Sequence, residues 1–279
     1  PVPPGVARTP PSRPVVTPTF GVVGLGRMAQ ALLFPLLEAG LVELDAVRAV
    51  VASEVSAAAL RQAHHGLVVD TDPAAAWDAP VVLLAVKPQQ LELAAQAAAA
   101  GSAGLLVSVL AGVTLERLQR LFPQRQCVRA VPNTPALVRA GLTGLAFGAA
   151  VEPDQRQWVR QLFGQVGEVH ELPEPQLDAF LALTSSGPAF VAVVAEALAD
   201  GAVAAGLPRL LAQRLAHRTL AGSAALMLER DLHPGELKDM VSSPGGTTIA
   251  GLRQLEQAGL RSALIEAVVA AAQRSRELA

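Results

Sequence analysis

The stretch 19-TFGVVGLGRMAQALL-33 decides the fold. A short apolar run, Phe20 to Val23, enters a turn holding Gly24, Gly26 and Ala29 and then a segment with helical spacing. In G-x-G-x-x-A after a strand, the first glycine permits the tight turn, the second lets the backbone approach a pyrophosphate, and the small third residue lets helix and sheet pack closely. The helix N-terminus then offers free N–H groups and a positive dipole end to the phosphates. A glycine-rich turn that binds nothing would look the same on its own, so the surroundings must decide.

Outward from this turn, short β-branched runs alternate with helical stretches as far as Leu172, the rhythm of a doubly wound parallel sheet. The runs FGVVG, AVRAVVA, GLVVD, VVLLAV, LLVSVL, CVRAV and LTGLAFG read as strands. Gly40 suits the end of the first helix, and Pro88 opens another in KPQQLELAAQAAAA. After ELPEPQ (171–176) long Ala/Leu stretches take over, broken at SSGPAF, GLP, DLHPGE and SSPGGTT. Leu207, Leu210, Leu211 and Leu215 recur at three- and four-residue steps, which predicts a helix with one apolar face. The expected class is α/β: an N-terminal Rossmann-like domain over 18–173 and an all-helical domain over 174–279. Residues 1–17, PVPPGVARTPPSRPVVT, are too rich in proline for helix or central strand and read as a disordered tail without the apolar segment of a secretory signal.

Bulk numbers narrow the function. The chain has 279 residues, 51% hydrophobic and 16% charged, enough for two domains. A net charge of -2 gives no positive field for nucleic acid or an anionic membrane surface. The apolar runs such as APVVLLAV (79–86) fall short of the roughly 18 residues of a membrane span, so a soluble, cytoplasmic protein is expected. Cys127, the one cysteine, cannot form an internal disulfide and reads as a small core residue in a strand. His64, His65, His170, His217 and His233 are scattered without metal-site or catalytic spacing, so no metal is expected.

Two further segments carry chemistry. At the end of the second strand stand Ser53 and Glu54, where a Rossmann site chooses its cofactor: an acidic side chain there bonds the ribose 2′-OH of NAD and repels the 2′-phosphate of NADP. Ser53 suits a phosphate, Glu54 opposes one if it points inward, and the next arginine is Arg61, so the preference stays open. Ala85, Val86 and Lys87 fall at the carboxyl end of the fourth strand, where doubly wound folds bind ligands; Lys87 reads equally as a cofactor contact or a strand-end cap. In 236-ELKDMVSSPGGTTIAGLRQLE-256 two serines, a proline and two glycines lead into Thr247, Thr248 and an apolar helical pattern. Such a loop delivers N–H groups and hydroxyls to one point at a helix N-terminus, an arrangement suited to a carboxylate. The plainer alternative is a helix connection with a threonine N-cap, yet seven small or polar residues are more than such a connection needs.

The turn GLGRMA, then LAVKPQQ, VPNTPALVRAGLTGLAFG (131–148), SSGPAFV with ALADGAVAAGLPR, and HPGELKDMVSSPGGTTIAGLRQLE, in this order, resemble the pyrroline-5-carboxylate reductase family from Phe20 to the C-terminus. The resemblance implies reduction of 1-pyrroline-5-carboxylate to L-proline, the last step of proline biosynthesis, by hydride transfer from NADPH, with NADH possible. It implies a homodimer built by the helical domain, assembled further into a larger homo-oligomer. By this likeness Gly24, Gly26, Arg27 and Met28 lie along the pyrophosphate and Ser53 near the adenosine ribose. Ala85, Val86, Lys87, Asn133 and Thr134 line the ribose and nicotinamide side. Ser243, Gly246 and Thr247 would bind the substrate carboxylate, and Thr248, the expected catalytic residue, would approach the ring nitrogen, all on a loop from the partner subunit. The chain departs from the family at Ser185, usually glycine, and Phe190, usually tyrosine. A 3-hydroxy-acid dehydrogenase would need a catalytic lysine inside the helical half, where Lys238 is the one lysine and sits beside the loop. A nucleotide sensor would have no need of the serine and threonine loop.

Overall fold

A computed structural model describes residues 20–278, so the expected tail over 1–17 lies outside the described residues. Chain order is β1 (Phe20–Val23), α1 (Arg27–Glu38), β2 (Val47–Val50), α2 (Glu54–Ala63), β3 (Val68–Asp70), α3 (Ala74–Trp77), β4 (Val81–Leu84), α4 (Leu91–Ala98), β5 (Gly104–Ser108) and α5 (Leu115–Leu121). There follow β6 (Arg125–Pro132), β7 (Gly141–Phe147), α6 (Pro153–Gly164), β8 (Gly167–Glu171), α7 (Leu177–Thr184), α8 (Gly187–Ala204), α9 (Arg209–Arg230), α10 (Pro234–Met240), α11 (Thr247–Gln257) and α12 (Leu260–Glu277). The described chain forms two compact units, one through residue 110 with 115–130 and 147–166, the other with 111–114, 131–146 and 167 onward.

In the first unit the strands run in the order β3-β2-β1-β4-β5-β6, and neighbouring strands pair in parallel. The reversal of order at β1 is the switch point at which a doubly wound sheet opens a ligand crevice beyond its carboxyl ends. β1 is buried at all four residues, as a strand covered on both faces must be. Leu32, Leu33 and Leu36 of α1 are fully buried, and this spacing makes one helix face the sheet. On α6, Trp158 stacks a tilted ring 5.8 Å from Phe20. Cys127 is buried in β6, where desolvation pushes its thiol up to about 12, an inert side chain as expected of a core cysteine.

The second unit holds the parallel pair β7 and β8 and helices α7 to α12. β8 is absent from the expected strands because Glu168, His170 and Glu171 make it polar; its ladder to β7, from Gly141↔Gly167 to Leu145↔Glu171, supplies what its side chains do not. The helices pack through small residues: Ala199 of α8 and Ala212 and Ala216 of α9 form a buried cluster. The leucine face expected of α9 is present, but Leu210, Leu211 and Leu215 stay exposed. The sequence reading took no run as long enough to span a membrane; by length and composition alone one helical stretch among the described residues, 174–204, reaches that length. Ser185, Ser186, Gly187 and Pro188 break the run on paper, yet α8 follows α7 almost directly. Its Leu183, Val191, Val193 and Leu198 lie exposed.

Candidate functional site

The first unit builds a dinucleotide cradle. Gly24 sits just past β1 at φ +93°, and a Cβ there would lie 2.7 Å from the Ala85 carbonyl oxygen and 2.8 Å from the Val86 nitrogen. The sequence-predicted Gly24, Ala85 and Val86 are thus brought into backbone contact. The sheet continues to this point: the Gly24 N–H donates to Val50 O at 2.9 Å and the Ala85 N–H to Val23 O at 2.8 Å. Gly26 is the N-cap of α1, without a side-chain cap bond, and no heavy atom lies within 4 Å of where its Cβ would be. Arg27 is exposed beside it, Met28 half-buried and Ala29 buried. The first turn of α1 carries no acidic residue, so its N–H groups and dipole meet an anion unopposed. These residues fit the pyrophosphate of a dinucleotide, one glycine by contact and the other by open space.

At neighbouring strand ends, Ser53 caps α2, accepting the Ser56 N–H at 3.2 Å. Lys87 is exposed, and its N–H donates to Gln90 Oε1 at 3.4 Å at the start of a short 3-10 turn. Lys87 therefore has a strand-end role and a side chain still open to solvent.

In the second unit, Asn133 is buried at the end of β6 and its amide is spent within the unit. Nδ2 donates to Thr184 O at 2.9 Å, and Oδ1 accepts the Leu142 N–H at 2.8 Å. The side chain thereby ties the end of β6 to β7 and to the end of α7, while Thr134 next to it is exposed. Ser185 adds a bond from Oγ to Pro132 O at 3.4 Å and so reinforces the same joint. Asn133→Ala leaves the part-buried Leu142 N–H and the Thr184 carbonyl without this partner; unfolding by denaturant is expected to show a loss of about 2–6 kcal/mol, at about 1–3 kcal/mol for each unsatisfied group.

The loop between α10 and α11 resolves which serine matters. Ser242 is spent on α10, its Oγ donating to Lys238 O at 2.6 Å. Residues 243–246 form a turn closed by Gly246 N–H to Ser243 O at 3.0 Å, with Gly245 at φ +66°. A positive φ at the third position is what a type II turn demands, and Pro244 stands at the second. Ser243 Oγ folds back over Gly246, where a Cβ would lie 2.3 Å from it. The N-cap of α11 is Gly246, with no side-chain cap bond and no acidic residue in the first turn. The threonine-capped connection is therefore not what forms: Thr247 and Thr248 are the first two helical residues. Their N–H groups precede the first intrahelical bond, Ala250 N–H to Gly246 O at 3.3 Å. At this helix start Ser243 and Thr247 are exposed and Thr248 is half-buried. Since the Gly246 N–H closes the turn, the contribution of Gly246 is the room it leaves. Lys238 Nζ lies 3.6 Å from Asp239 Oδ1, and both residues line a surface cavity with Ser242, Gly245 and Gly246. His233 is a cap: its Nδ1 accepts the Gly235 N–H at 3.1 Å. Among the described residues no group of three or more His, Cys, Asp or Glu could hold a metal ion.

Comparison with known proteins agrees with both halves. Residues 174–278 match the family model described as pyrroline-5-carboxylate reductase dimerisation, and 19–112 match that described as NADP oxidoreductase, coenzyme F420-dependent. A pyrroline-5-carboxylate reductase of Synechocystis is 46% identical over 263 residues, 93% of this chain and 97% of the relative. That of Escherichia coli is 38% identical, over 93% and 97%. Among solved structures, a pyrroline-5-carboxylate reductase from Coxiella burnetii superposes with TM-score 0.84 at 31% identity, covering 94% of this chain and 99% of that one. The Plasmodium falciparum pyrroline carboxylate reductase, solved with NADP bound, reaches 0.82 at 26% identity, with 94% and 98% covered. The segment matched to the dimerisation model includes the exposed leucines of α9 and valines of α8.

Proposed function

The chain belongs to the pyrroline-5-carboxylate reductase family, and we propose that its two anion-binding helix ends divide the reduction of 1-pyrroline-5-carboxylate to L-proline between them. It is an NAD(P)H-dependent oxidoreductase acting on a C=N bond, and it is homo-oligomeric. The observation that carries the division of labour is the Ser243 hydroxyl lying over Gly246, the N-cap of a helix whose start has no side-chain cap and no acidic residue.

The cofactor supplies a hydride from its dihydronicotinamide ring. Gly24, Gly26, Arg27 and Met28 hold its pyrophosphate at the N-terminus of α1, and Ser53, Ala85, Val86 and Lys87 line the strand ends beyond. Asn133 acts by fixing the backbone that presents Thr134. Ser243 and the Thr247 N–H bind the substrate carboxylate, which fixes the position of the ring and its C=N carbon. As that carbon gains hydride, the π pair of the C=N bond withdraws onto nitrogen, which keeps a proton taken from solvent. The Thr248 hydroxyl is too weak an acid to supply that proton; it hydrogen-bonds the ring nitrogen and orients it.

The exposed position of Ser243 and Thr247 in one chain supports a loop that completes a site with the partner subunit. We further infer that the helical domain over 174–279 builds the dimer, that the Rossmann-like domain over 18–173 holds the cofactor, that dimers assemble into a larger homo-oligomer, and that the enzyme works in the cytoplasm, where a lone buried thiol is stable.

Turnover followed by loss of reduced nicotinamide tests the reading. Ser243→Ala is expected to raise KM for the imine by roughly tenfold, one hydrogen bond to a charged group. Thr248→Ala is expected to lower kcat by about tenfold at little change in KM, because its bond matters as charge develops on nitrogen. No turnover with either cofactor in folded oligomer that binds NADPH would overturn the assignment.

A further inference from the structure

The end of β2 carries two opposed signals in the sequence, Ser53 for a phosphate and Glu54 against one, and the geometry separates them. Ser53 Oγ lies 3.0 Å from Ser56 Oγ as well as accepting the Ser56 N–H. Two hydroxyls therefore stand together at the start of α2. Glu54, the first residue of α2, does not reach out past the helix end: its carboxylate is ion-paired with Arg61, two turns further along. Arg61 in turn is anchored to β3, where its Nη1 donates to Val69 O at 3.0 Å. In a doubly wound fold the helix after a strand runs back from the carboxyl edge of the sheet, where ligands bind. The Glu54 carboxylate is thus paired with an arginine that is itself fixed at β3. The other carboxylates nearby are turned onto their own backbone: Asp70, at the end of β3, accepts the Thr71 and Asp72 N–H groups at 2.6 and 3.2 Å, and Asp72 accepts the Ala74 N–H at 3.0 Å.

We propose that Arg61 is a positioning residue for cofactor choice: by holding Glu54 back along α2, it leaves the end of β2 to the hydroxyls of Ser53 and Ser56 and so favours the 2′-phosphate of NADPH over the bare ribose of NADH. Hydroxyls donate to a phosphate oxygen, and a free Glu54 would repel it. The proposal rests on the reductase reading only in that the cradle at Gly24 and Gly26 takes a nicotinamide dinucleotide.

Binding of 2′-phospho-ADP-ribose and of ADP-ribose, measured by calorimetry, tests it without any imine reduction. Wild type is expected to bind the 2′-phosphorylated probe more tightly. Arg61→Ala is expected to narrow the ratio of the two affinities by roughly two- to fivefold, the scale of an exposed ion pair. Glu54→Gln added to Arg61→Ala is expected to restore the ratio, since the carboxylate to be held back is gone. A wild-type preference for ADP-ribose, or an unchanged ratio in folded Arg61→Ala, would overturn the proposal. So would failure of the double variant to recover, which would make Arg61 itself a ligand of the phosphate. Turnover of the imine, measured on the same proteins, separates the two readings: lost turnover with the expected affinity ratios counts against the reductase reading alone, and an unchanged ratio in Arg61→Ala with intact turnover counts against the Arg61 proposal alone.

Discussion

Gly246→Ala is expected to lower kcat/KM for 1-pyrroline-5-carboxylate by roughly a hundredfold, about 3 kcal/mol of lost stabilisation, while NADP+ affinity and thermal stability stay close to wild type. The backbone is not the reason. Gly246 has φ -79° and ψ 176°, which alanine adopts freely. The obstacle is the Ser243 hydroxyl, 2.3 Å from the new Cβ. A serine side chain turns away through one dihedral at small cost, so the fold survives and the hydroxyl leaves its place over the helix end. The methyl then stands where the carboxylate should meet the N–H groups of α11. A double-mutant cycle sharpens this: once Ser243→Ala has removed the hydroxyl, Gly246→Ala should cost only the methyl's own intrusion, so the two losses fall short of additive. Gly245→Ala is the contrasting control. At φ +66° it carries the strain itself, of order 1 kcal/mol or more, and loses stability along with activity. Strict additivity of Ser243→Ala and Gly246→Ala would mean that the serine is not oriented by the glycine at all.

Both helix ends were legible before any coordinates, for a definite physical reason. A bound anion demands a glycine where the backbone must come close and a small polar residue where a side chain must reach over, so Gly24, Gly26, Ser243 and Gly246 stand out as residue types. What the types do not reveal is direction. Ser242 and Ser243 are equivalent on paper, and only the bond from Ser242 Oγ to Lys238 O leaves Ser243 as the one over α11. Glu54 was ambiguous for the same reason, since its role depends on whether Arg61 lies within reach on the same helix face. Asn133 was read as a cofactor contact from its place in the PNTP segment, and its buried bonds to Leu142 and Thr184 depend on pairings far along the chain. β8 escaped because a polar strand is held by its ladder rather than by burial. The leucines of α9 read as one apolar face, and exposure of Leu210, Leu211 and Leu215 is what their spacing does not reveal.

The glycines of the first turn make a sharper pair than either alone. Gly24→Ala is expected to weaken NADP+ binding by about a hundredfold or more and to cost roughly 2–4 kcal/mol of stability, because left-handed strain and a backbone clash act together. The new Cβ would lie 2.7 Å from Ala85 O and 2.8 Å from Ala85 C and Val86 N. These are main-chain atoms held by the Ala85 N–H to Val23 O bond at 2.8 Å, so they cannot step aside as a serine hydroxyl can. The turn must move instead, and with it the start of α1 that presents the N–H groups. Gly26→Ala meets nothing within 4 Å, and its φ of -79° and ψ of -174° suit alanine. Its stability should therefore stay within about 0.5 kcal/mol of wild type, while NADP+ affinity falls at least tenfold, because the methyl occupies space that the protein leaves empty for the pyrophosphate. Calorimetric titration with NADP+ beside a denaturant melt reads both quantities in both variants. Unimpaired binding by a folded Gly26→Ala protein would mean that the open space over α1 is not where the phosphates lie, and the cradle would have to be sought at another strand end. Loss of binding in Gly24→Ala without loss of stability would mean that the turn relaxes independently of β4, contrary to the contact that fixes it.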